Sequence, residues 1–218
     1  MHLLLAAALI AGTAQGARAD ETFESKSAVR VRDLADLAWA LTATCDTGDE
    51  VQQRQCRHLR DTRVKQLAGA TLLVDAQPGA FEVGAWSPAK KSVPFSLTAC
   101  IDCAGVAVNG KTYYLTGAGG QVQMEGGQLR TARLLDTTRT FTDEATAKAW
   151  LKMIAAVRIQ MLVKIPDKVR WQIAGRDGLG LQILGYRVYV PCEGTIVVAS
   201  PASGNVDADK KACPKPSK

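Results

Sequence analysis

Residues 169–200 read VRWQIAGRDGLGLQILGYRVYVPCEGTIVVAS, and this stretch decides the fold class. Turn residues separate three runs that have the composition of strands, namely Val169–Ala174, Leu179–Val190 and Thr195–Ser200. The segment Gly175-Arg176-Asp177-Gly178 fits a hairpin turn between the first two runs. Gly185, inside the long run, indicates a bulge, because glycine weakens a regular strand. The last third of the chain therefore predicts three closing strands.

Immediately before this stretch, the apolar spacing predicts one long helix over about 143–164. Thr142 is placed to cap it, and Asp143 and Glu144 stand at the end where the helix dipole favours negative charge. Pro166 ends it, because proline lacks the N–H that a continuing helix needs.

Strand periodicity also governs residues 70–135. The predicted strands cover 70–76, 80–86, 93–100, 105–108, 111–116 and 128–135. Asn109-Gly110 between two of them is a strong hairpin signal, because both residues tolerate positive φ. Residues 117–127 contain five glycines in eleven positions and predict a loop.

Two helices are predicted near the N-terminus. Asp33 caps the first, whose apolar stripe consists of Leu34, Leu37, Ala38 and Leu41. Asp49 begins a second, very polar helix that runs to about Lys65, with inward positions expected at Val51, Cys56, Leu59 and Val64. The order of elements predicts an α+β fold, in which this helical pair and the long helix pack on an antiparallel sheet.

The 218 residues suit one domain. We expect a single α+β domain over 20–201, with a helical part at 20–67 and a mainly β part at 70–201 that contains one helix. Residues 202–218 have almost no apolar content and predict a loose tail that a cysteine pins.

Residues 1–19 are typical of a secretory signal peptide. The apolar run 3–11 is too short to span a membrane, which takes about 20 residues. Ala17 and Ala19 provide the small residues that precede a cleavage site, so we expect cleavage before Asp20. The region before the apolar run departs from the usual pattern, because it lacks lysine and arginine. The sequence predicts a periplasmic or extracellular protein that does not span the membrane.

An exported chain with an even number of cysteines usually forms disulfides. The six cysteines suggest three local pairs, Cys45–Cys56, Cys100–Cys103 and Cys192–Cys213, among 15 connectivities. Each local bridge contributes roughly 2–4 kcal/mol to stability.

Cys100-Ile101-Asp102-Cys103 is also the spacing of a redox pair. The residues that follow predict a strand and a turn rather than the helix whose dipole would activate a thiol, and Asp102 would disfavour a thiolate. A structural bridge is therefore the favoured interpretation, with a redox-active pair as the alternative. A four-cysteine metal site completed by Cys192 and Cys213 is a weaker alternative.

The second helix carries the only ordered set of positive charges. Its arginines recur every third residue, at Arg54, Arg57, Arg60 and Arg63, which places them along one slowly turning face. Such a face can meet an acidic protein or an anionic surface, although a solvated face is the simpler interpretation. No aromatic residues interleave with these arginines to stack bases, so no nucleic acid is expected.

We hypothesise a non-catalytic exported binding protein without cofactor or metal that serves as an accessory subunit of a cell-envelope assembly. Its partner would be another envelope protein or an anionic surface, met by the four arginines. The alternative is a periplasmic thiol–disulfide protein that acts through Cys100 and Cys103. A hydrolase that uses serine, aspartate and lysine remains a third possibility, because His58 is the only histidine after the predicted signal.

The export prediction has a direct test. N-terminal sequencing of the natively produced protein should find Asp20 as the first residue, and thiol titration in denaturant should find no free thiol. Cytoplasmic material that retains residues 1–19 and has six free thiols would contradict the prediction.

Overall fold

The computed structural model describes residues 22–26, 28–118 and 122–213. The predicted signal peptide lies outside the described residues. Among those described, no helix combines the length and the apolar character that crossing a membrane requires.

The chain is mixed α and β, with few helices. In order along the chain, the elements are β1 (Val29–Arg30), α1 (Leu34–Thr42), α2 (Glu50–Leu67), β2 (Leu72–Ala76), β3 (Phe81–Val83), β4 (Ser92–Thr98), β5 (Cys100–Val108), β6 (Lys111–Gly117), β7 (Gln123–Glu125), β8 (Gln128–Arg130), β9 (Arg133–Thr140), α3 (Glu144–Met153), β10 (Arg158–Lys164), β11 (Arg170–Ile173), β12 (Arg176–Val190) and β13 (Thr195–Ser200).

The long strand β12 organises the main sheet. Its first half pairs with β11 and with β6, and its second half pairs with β10 and β13. The sheet order is β1-β2-β10-β12-β6-β5. Most pairs are antiparallel, as the sequence predicts, but β1–β2 and β6–β12 are parallel.

The predicted bulge at Gly185 is confirmed. In the β10–β12 ladder, Leu162 pairs with Gly185 while Val163 pairs with Ile183, so Leu184 is the extra residue. A side chain at position 185 would also collide with the carbonyl oxygen of Ser200 on β13. Glycine therefore lets β13 approach β12 closely.

Two smaller sheets accompany the main one. Strands β3, β4 and β9 form an antiparallel sheet, and β7 and β8 form a hairpin. The glycines at the turn of this hairpin, Gly126 and Gly127, have φ of 55° and 77°, which favours glycine. The predicted loop over 117–127 is therefore wrong in part, because it contains β7.

One apolar core joins the main sheet, the β3–β4–β9 sheet and the inner faces of α1 and α3. Fully buried side chains come from nearly every central strand, including Val74, Leu97, Leu115, Met161 and Leu181. Burial of large aliphatic side chains contributes roughly 1.5–3 kcal/mol each, so this core is the main source of stability.

The first two α-helices begin where the sequence predicts, and the third begins one residue later, because Asp143 rather than Thr142 is its N-cap. Asp33, Asp49 and Asp143 are the N-caps, and each carboxylate accepts a backbone N–H of the first turn. Thr142, the predicted cap of the third helix, lies one residue earlier and donates its hydroxyl to Asp143. The hydrogen bonds that Asp143 accepts from Thr146 and Thr142 lower the pKa of its carboxyl group.

The predicted long helix over 143–164 is wrong in its second half. Helix α3 ends at Met153, and after one 3-10 turn the chain becomes strand β10. Five consecutive residues of β10 are buried, because the strand lies between β2 and β12 with both faces covered. A strand of this kind lacks alternating polarity, so its apolar spacing resembles that of a helix.

Two local predictions also need correction. The turn between β11 and β12 consists of Ala174 and Gly175, both with positive φ, so Arg176 already belongs to the strand. On α2, Val51 and Leu59 face solvent, with 58% and 61% of their surface exposed. The helix is held by a disulfide and by arginine contacts to α1, and these replace an apolar stripe.

The cysteines form the three predicted disulfides, Cys45–Cys56, Cys100–Cys103 and Cys192–Cys213. The first ties the segment after α1 to the middle of α2, and the third ties the C-terminal segment to the end of β12. Two backbone bonds, from Val206 to Gly194 and from Asp209 to Pro191, hold that segment in addition.

A polar network centred on Arg187 fastens the N-terminal segment to β12. The Arg187 side chain is only 12% exposed and donates to Glu24, Ser203 and Gln160 at 2.8, 3.3 and 2.9 Å. Gln160 is buried on β10 and donates its side-chain amide to the Asp75 carboxylate, so the network extends to β2. The guanidinium also covers the buried ring of Phe23, 4.5 Å from its centroid.

Hydrogen bonding decides the ionisation of Glu24 in this network. Burial raises the pKa of Glu24, but hydrogen bonds from Ser203 and the backbone, together with the charge of Arg187, outweigh it. The pKa therefore lies below its ordinary value. A lowered pKa means that the carboxylate stabilises the fold above the unfolded pKa and loses this effect as the pH falls through the folded pKa.

Replacing Arg187 tests the network. We expect Arg187→Met to lower the free energy of unfolding by about 2 kcal/mol in urea at pH 7, because buried Gln160 loses a partner. The difference from the wild type should shrink as the pH falls below the ordinary range of a glutamate carboxyl group and through the lowered pKa of Glu24, because the protonated carboxyl group no longer attracts Arg187. Arg158→Met on β10 is the control. Arg158 is exposed, and its one ion pair, 3.8 Å from its Nη1 to the Asp209 carboxylate, should contribute little to stability. Equal destabilisation by both substitutions would contradict a special role of Arg187.

Candidate functional site

A groove of about 890 Å³ opens between the disulfide segment at the start of β5 and the β7–β8 hairpin. We call it the charged groove. The loop 77–79, Glu82 on β3, Thr98 on β4, Arg133 on β9 and Arg176 on β12 complete its walls. Residues far apart in sequence therefore meet around one cleft.

The Cys100–Cys103 disulfide forms one wall of the charged groove. Its segment is an irregular part of β5, where the register against β6 shifts on both sides of Asp102. The Asp102 carboxylate accepts the backbone N–H groups of Ala104 and Gly105 at 3.2 and 2.9 Å, and the side-chain amide of Gln77 at 2.5 Å. Asp102 thus fixes the bulge that carries the disulfide.

This backbone differs from that of a typical thiol oxidoreductase site. A reactive cysteine usually lies at a helix N-terminus, where the dipole lowers the thiol pKa. Here both cysteines lie on a strand, with Cys100 buried and Cys103 partly exposed towards the groove. The geometry fits a bridge that shapes a wall. The redox alternative for Cys100 and Cys103 stays a prediction.

The β7–β8 hairpin forms the opposite wall and carries Glu125, Gly127 and Arg130. Arg130 is shared between two carboxylates, with 3.3 Å from its Nε to Glu125 and 4.0 Å from its Nη1 to Glu82. The ion pair to Glu82 connects the hairpin with β3. Such half-exposed pairs add little to stability, but they orient the charged groups of the groove.

Arg176 holds the same hairpin from the other side. Its Nη2 donates to the carbonyl oxygen of Gly127 at 3.0 Å, and its Nη1 donates to the Tyr114 hydroxyl at 3.1 Å. The guanidinium stacks over the Tyr114 ring, 5.1 Å from the centroid. These three contacts fix Arg176 in one orientation at the edge of the groove.

Thr131, which follows the hairpin, has a hydroxyl oxygen that is buried and finds no hydrogen-bond partner within the described part of the chain. An unsatisfied buried hydroxyl costs about 1–3 kcal/mol. Nearly all buried polar groups in folded proteins form hydrogen bonds. Among the described residues, the Thr131 hydroxyl oxygen is one of two buried side-chain polar atoms without a partner, and it lies in the groove.

The arginines predicted as a binding face have different surroundings. Arg60 donates to the carbonyl oxygen of Ala43 at the end of α1, and Arg63 binds Asp36 on α1 through two nitrogens. Arg54 forms an exposed pair with Glu50. Arg57 is exposed and makes no ion pair within the described residues. Two members of the set therefore hold α2 against α1, and only Arg54 and Arg57 point a largely free charge at solvent.

The remaining sequence candidates do not converge. His58 is exposed on α2, and the described residues contain no cluster of three histidine, cysteine or acidic side chains suited to a metal ion. Cys192 and Cys213, the weaker metal alternative, are bonded to each other and lie apart from the charged groove.

Sequence reasoning missed the charged groove. It placed Arg176 in a turn and assigned no role to Arg130 or Arg133. The glycine pair at 126–127 gave no signal of a site, because no motif links these residues to Tyr114 or Glu82. The one available signal was the disulfide segment, which the sequence identified.

Comparisons of the chain with protein-family models, with curated proteins and with solved structures found no match.

The tether between Arg176 and the hairpin generates a measurable prediction. Arg176→Gln should speed hydrogen exchange of the amides in β7 and β8 by roughly 5–30-fold, because stacking and one hydrogen bond together contribute about 1–2 kcal/mol. Exchange is read by mass spectrometry. Arg170→Gln is the control, since Arg170 donates to Leu41 far from the hairpin. Unchanged exchange in the Arg176 variant would show that the hairpin is held by other contacts.

Proposed function

We propose that this chain is a non-catalytic binding protein of the periplasm or the extracellular space, an accessory subunit of a cell-envelope assembly, and that it binds its partner in the charged groove. The observation that carries the proposal is the groove itself, in which a disulfide and an anchored hairpin hold charged groups in fixed orientations.

Pre-organisation supports a binding role. A partner loses less free energy to ordering when the charged groups that it meets are already fixed. In the groove, Asp102 fixes the disulfide wall, while Arg130 and Arg176 fix the hairpin wall. Most side chains of the walls are charged or polar, and charges at fixed places can select a partner by electrostatic complementarity.

The three disulfides support the proposed location. Disulfides persist in oxidising compartments and are rare in the cytosol. The bridges join cysteines that are 11, 3 and 21 residues apart. Two of them hold helix α2 and the C-terminal segment, which bury few side chains, whereas Cys100 of the other bridge belongs to the core. This use of cysteine suits a protein that must remain folded outside the cell.

A thiol–disulfide function is the second candidate, and one observation favours it: Cys103 faces the groove in which a partner would lie. In that reaction, a thiolate of a partner dithiol attacks the Cys100–Cys103 bond and forms a mixed disulfide. The partner's second thiolate then displaces this chain. Two electrons and two protons move from the partner, which becomes a disulfide, to the Cys100 and Cys103 dithiol.

Crosslinking and affinity purification of the natively expressed protein test the binding proposal. Gln128 lies on the exposed hairpin and lines the groove. We expect Gln128→Trp to reduce recovery of the specific partner about tenfold, because the indole fills the cleft. Gln55→Trp, on the exposed surface of α2, is the matched control and should recover the partner normally.

Further variants separate the alternatives. Charge reversal of both Arg54 and Arg57 should leave recovery of the partner unchanged. If this variant recovers less partner, the binding site lies on helix α2, as the arginine spacing suggested. Normal recovery with Gln128→Trp would refute the groove. If Cys103→Ser or Cys100→Ser accumulates a reducible covalent adduct, and the folded double variant loses function, the thiol–disulfide function replaces the binding function.

A further inference from the structure

The charged groove contains one cation that no carboxylate balances. Arg130 is paired with Glu82 and Glu125, and Arg133 is paired with Asp136. For Arg176, no ion pair is found within the described residues, and its contacts are the Tyr114 hydroxyl, the Tyr114 ring and the Gly127 carbonyl oxygen. Arg176 is therefore a cation at a fixed place that no carboxylate of the described residues contacts, whereas Glu82 and Glu125 share the single cation Arg130.

The contacts of Arg176 leave donors free. A guanidinium has five N–H donors, and the two hydrogen bonds to Tyr114 and Gly127 use two of them. The remaining donors belong to a planar fork whose geometry matches the two oxygens of a carboxylate. Stacking on Tyr114 and the bond to Gly127 have already restricted the side chain, so a ligand meets a prepared site.

The lining of the groove indicates the rest of the ligand. None of the described residues that line it is aromatic, so it lacks the stacking surface that bases require and the aromatic lining usual in small-molecule pockets. The walls instead offer the exposed amide of Gln128, the backbone near Gly79 and Gly127, and charges of both signs. These groups suit the alternating donors and acceptors of an extended polypeptide.

We infer that the charged groove binds an acidic segment of a partner polypeptide, with a carboxylate of that segment held by Arg176. The inference rests on the proposed binding function and names its ligand chemistry. The net charge of +6 for residues 1–218 becomes +5 without Arg18 of the predicted signal peptide, and this charge draws acidic segments towards the chain, where Arg176 then fixes one carboxylate.

Peptide titration followed by NMR tests the inference on the disulfide-bonded chain. The probe is a mixture of N-acetylated, C-amidated decapeptides with glutamate at one fixed position and uncharged residues elsewhere, and the matched mixture has glutamine at that position. We expect the glutamate mixture to shift the amides of residues 125–130 and the Arg176 Nε–H resonance. Its affinity should exceed that of the glutamine mixture about tenfold, as for a charge-assisted hydrogen bond.

Matched variants locate the carboxylate. Arg176→Gln should weaken binding of the glutamate mixture about tenfold, while Arg57→Gln, which removes the same charge from an exposed place on α2, should leave it within about twofold. Arg176→Lys keeps the positive charge but lacks the planar fork of the guanidinium, so this variant should also bind the glutamate mixture weakly. It tests the fork separately from the loss of charge in Arg176→Gln. The Arg176 Nε–H resonance of the unaltered chain gives a result that depends on no variant.

Three outcomes would overturn the inference: equal binding of the two mixtures, equal weakening by Arg57→Gln, or tighter binding of a uronic-acid oligosaccharide at the same carboxylate concentration. These outcomes are distinct from failure of the proposed function. If Gln128→Trp abolishes partner recovery while the two mixtures bind equally, the groove is a binding site whose ligand is not recognised through a carboxylate.

Discussion

The pairing of β12 on both sides is the constraint on which the structure depends. This strand has fifteen residues, and two different pairs of neighbours cover its two halves. Its buried residues Leu179, Leu181 and Val188 lie at the centre of the core. Two arginines with structural consequences also lie on it. Arg176, its first residue, reaches the charged groove, and Arg187, near its end, fastens the N-terminal segment.

Around this centre, polar and covalent links replace apolar burial. Helix α2 buries only Leu67, and the Cys45–Cys56 bridge and arginine contacts hold it to α1. The β7–β8 hairpin has the same character, because ion pairs and Arg176 position it without burying a side chain. In these elements, charged groups are ordered by polar contacts while little of the core depends on them. The charged groove lies within this layer.

The sequence determined the features that depend on neighbouring residues. The caps at Asp33 and Asp49, the Asn109-Gly110 hairpin and the bulge at Gly185 are local choices of backbone geometry, which the residue types dictate, and the start of the third helix was predicted to within one residue. The three cysteine pairs belong to the same group, because short loops cost the least entropy to close. The mixed α and β class with a mostly antiparallel sheet followed from the order of these elements.

Tertiary structure decided what depends on distant neighbours. Residues 158–164 have apolar spacing that a helix could use, and they form a strand because β2 and β12 offer backbone partners on both sides. Val51 and Leu59 of α2 are exposed, because the helix meets the core only near its end, where Leu67 is buried and Val64 packs against the core. The groove likewise exists only in the folded chain. Tyr114, Gly127 and Arg176 come from three separate elements, and no local pattern carries the information that the parallel pairing of β6 with β12 brings them together.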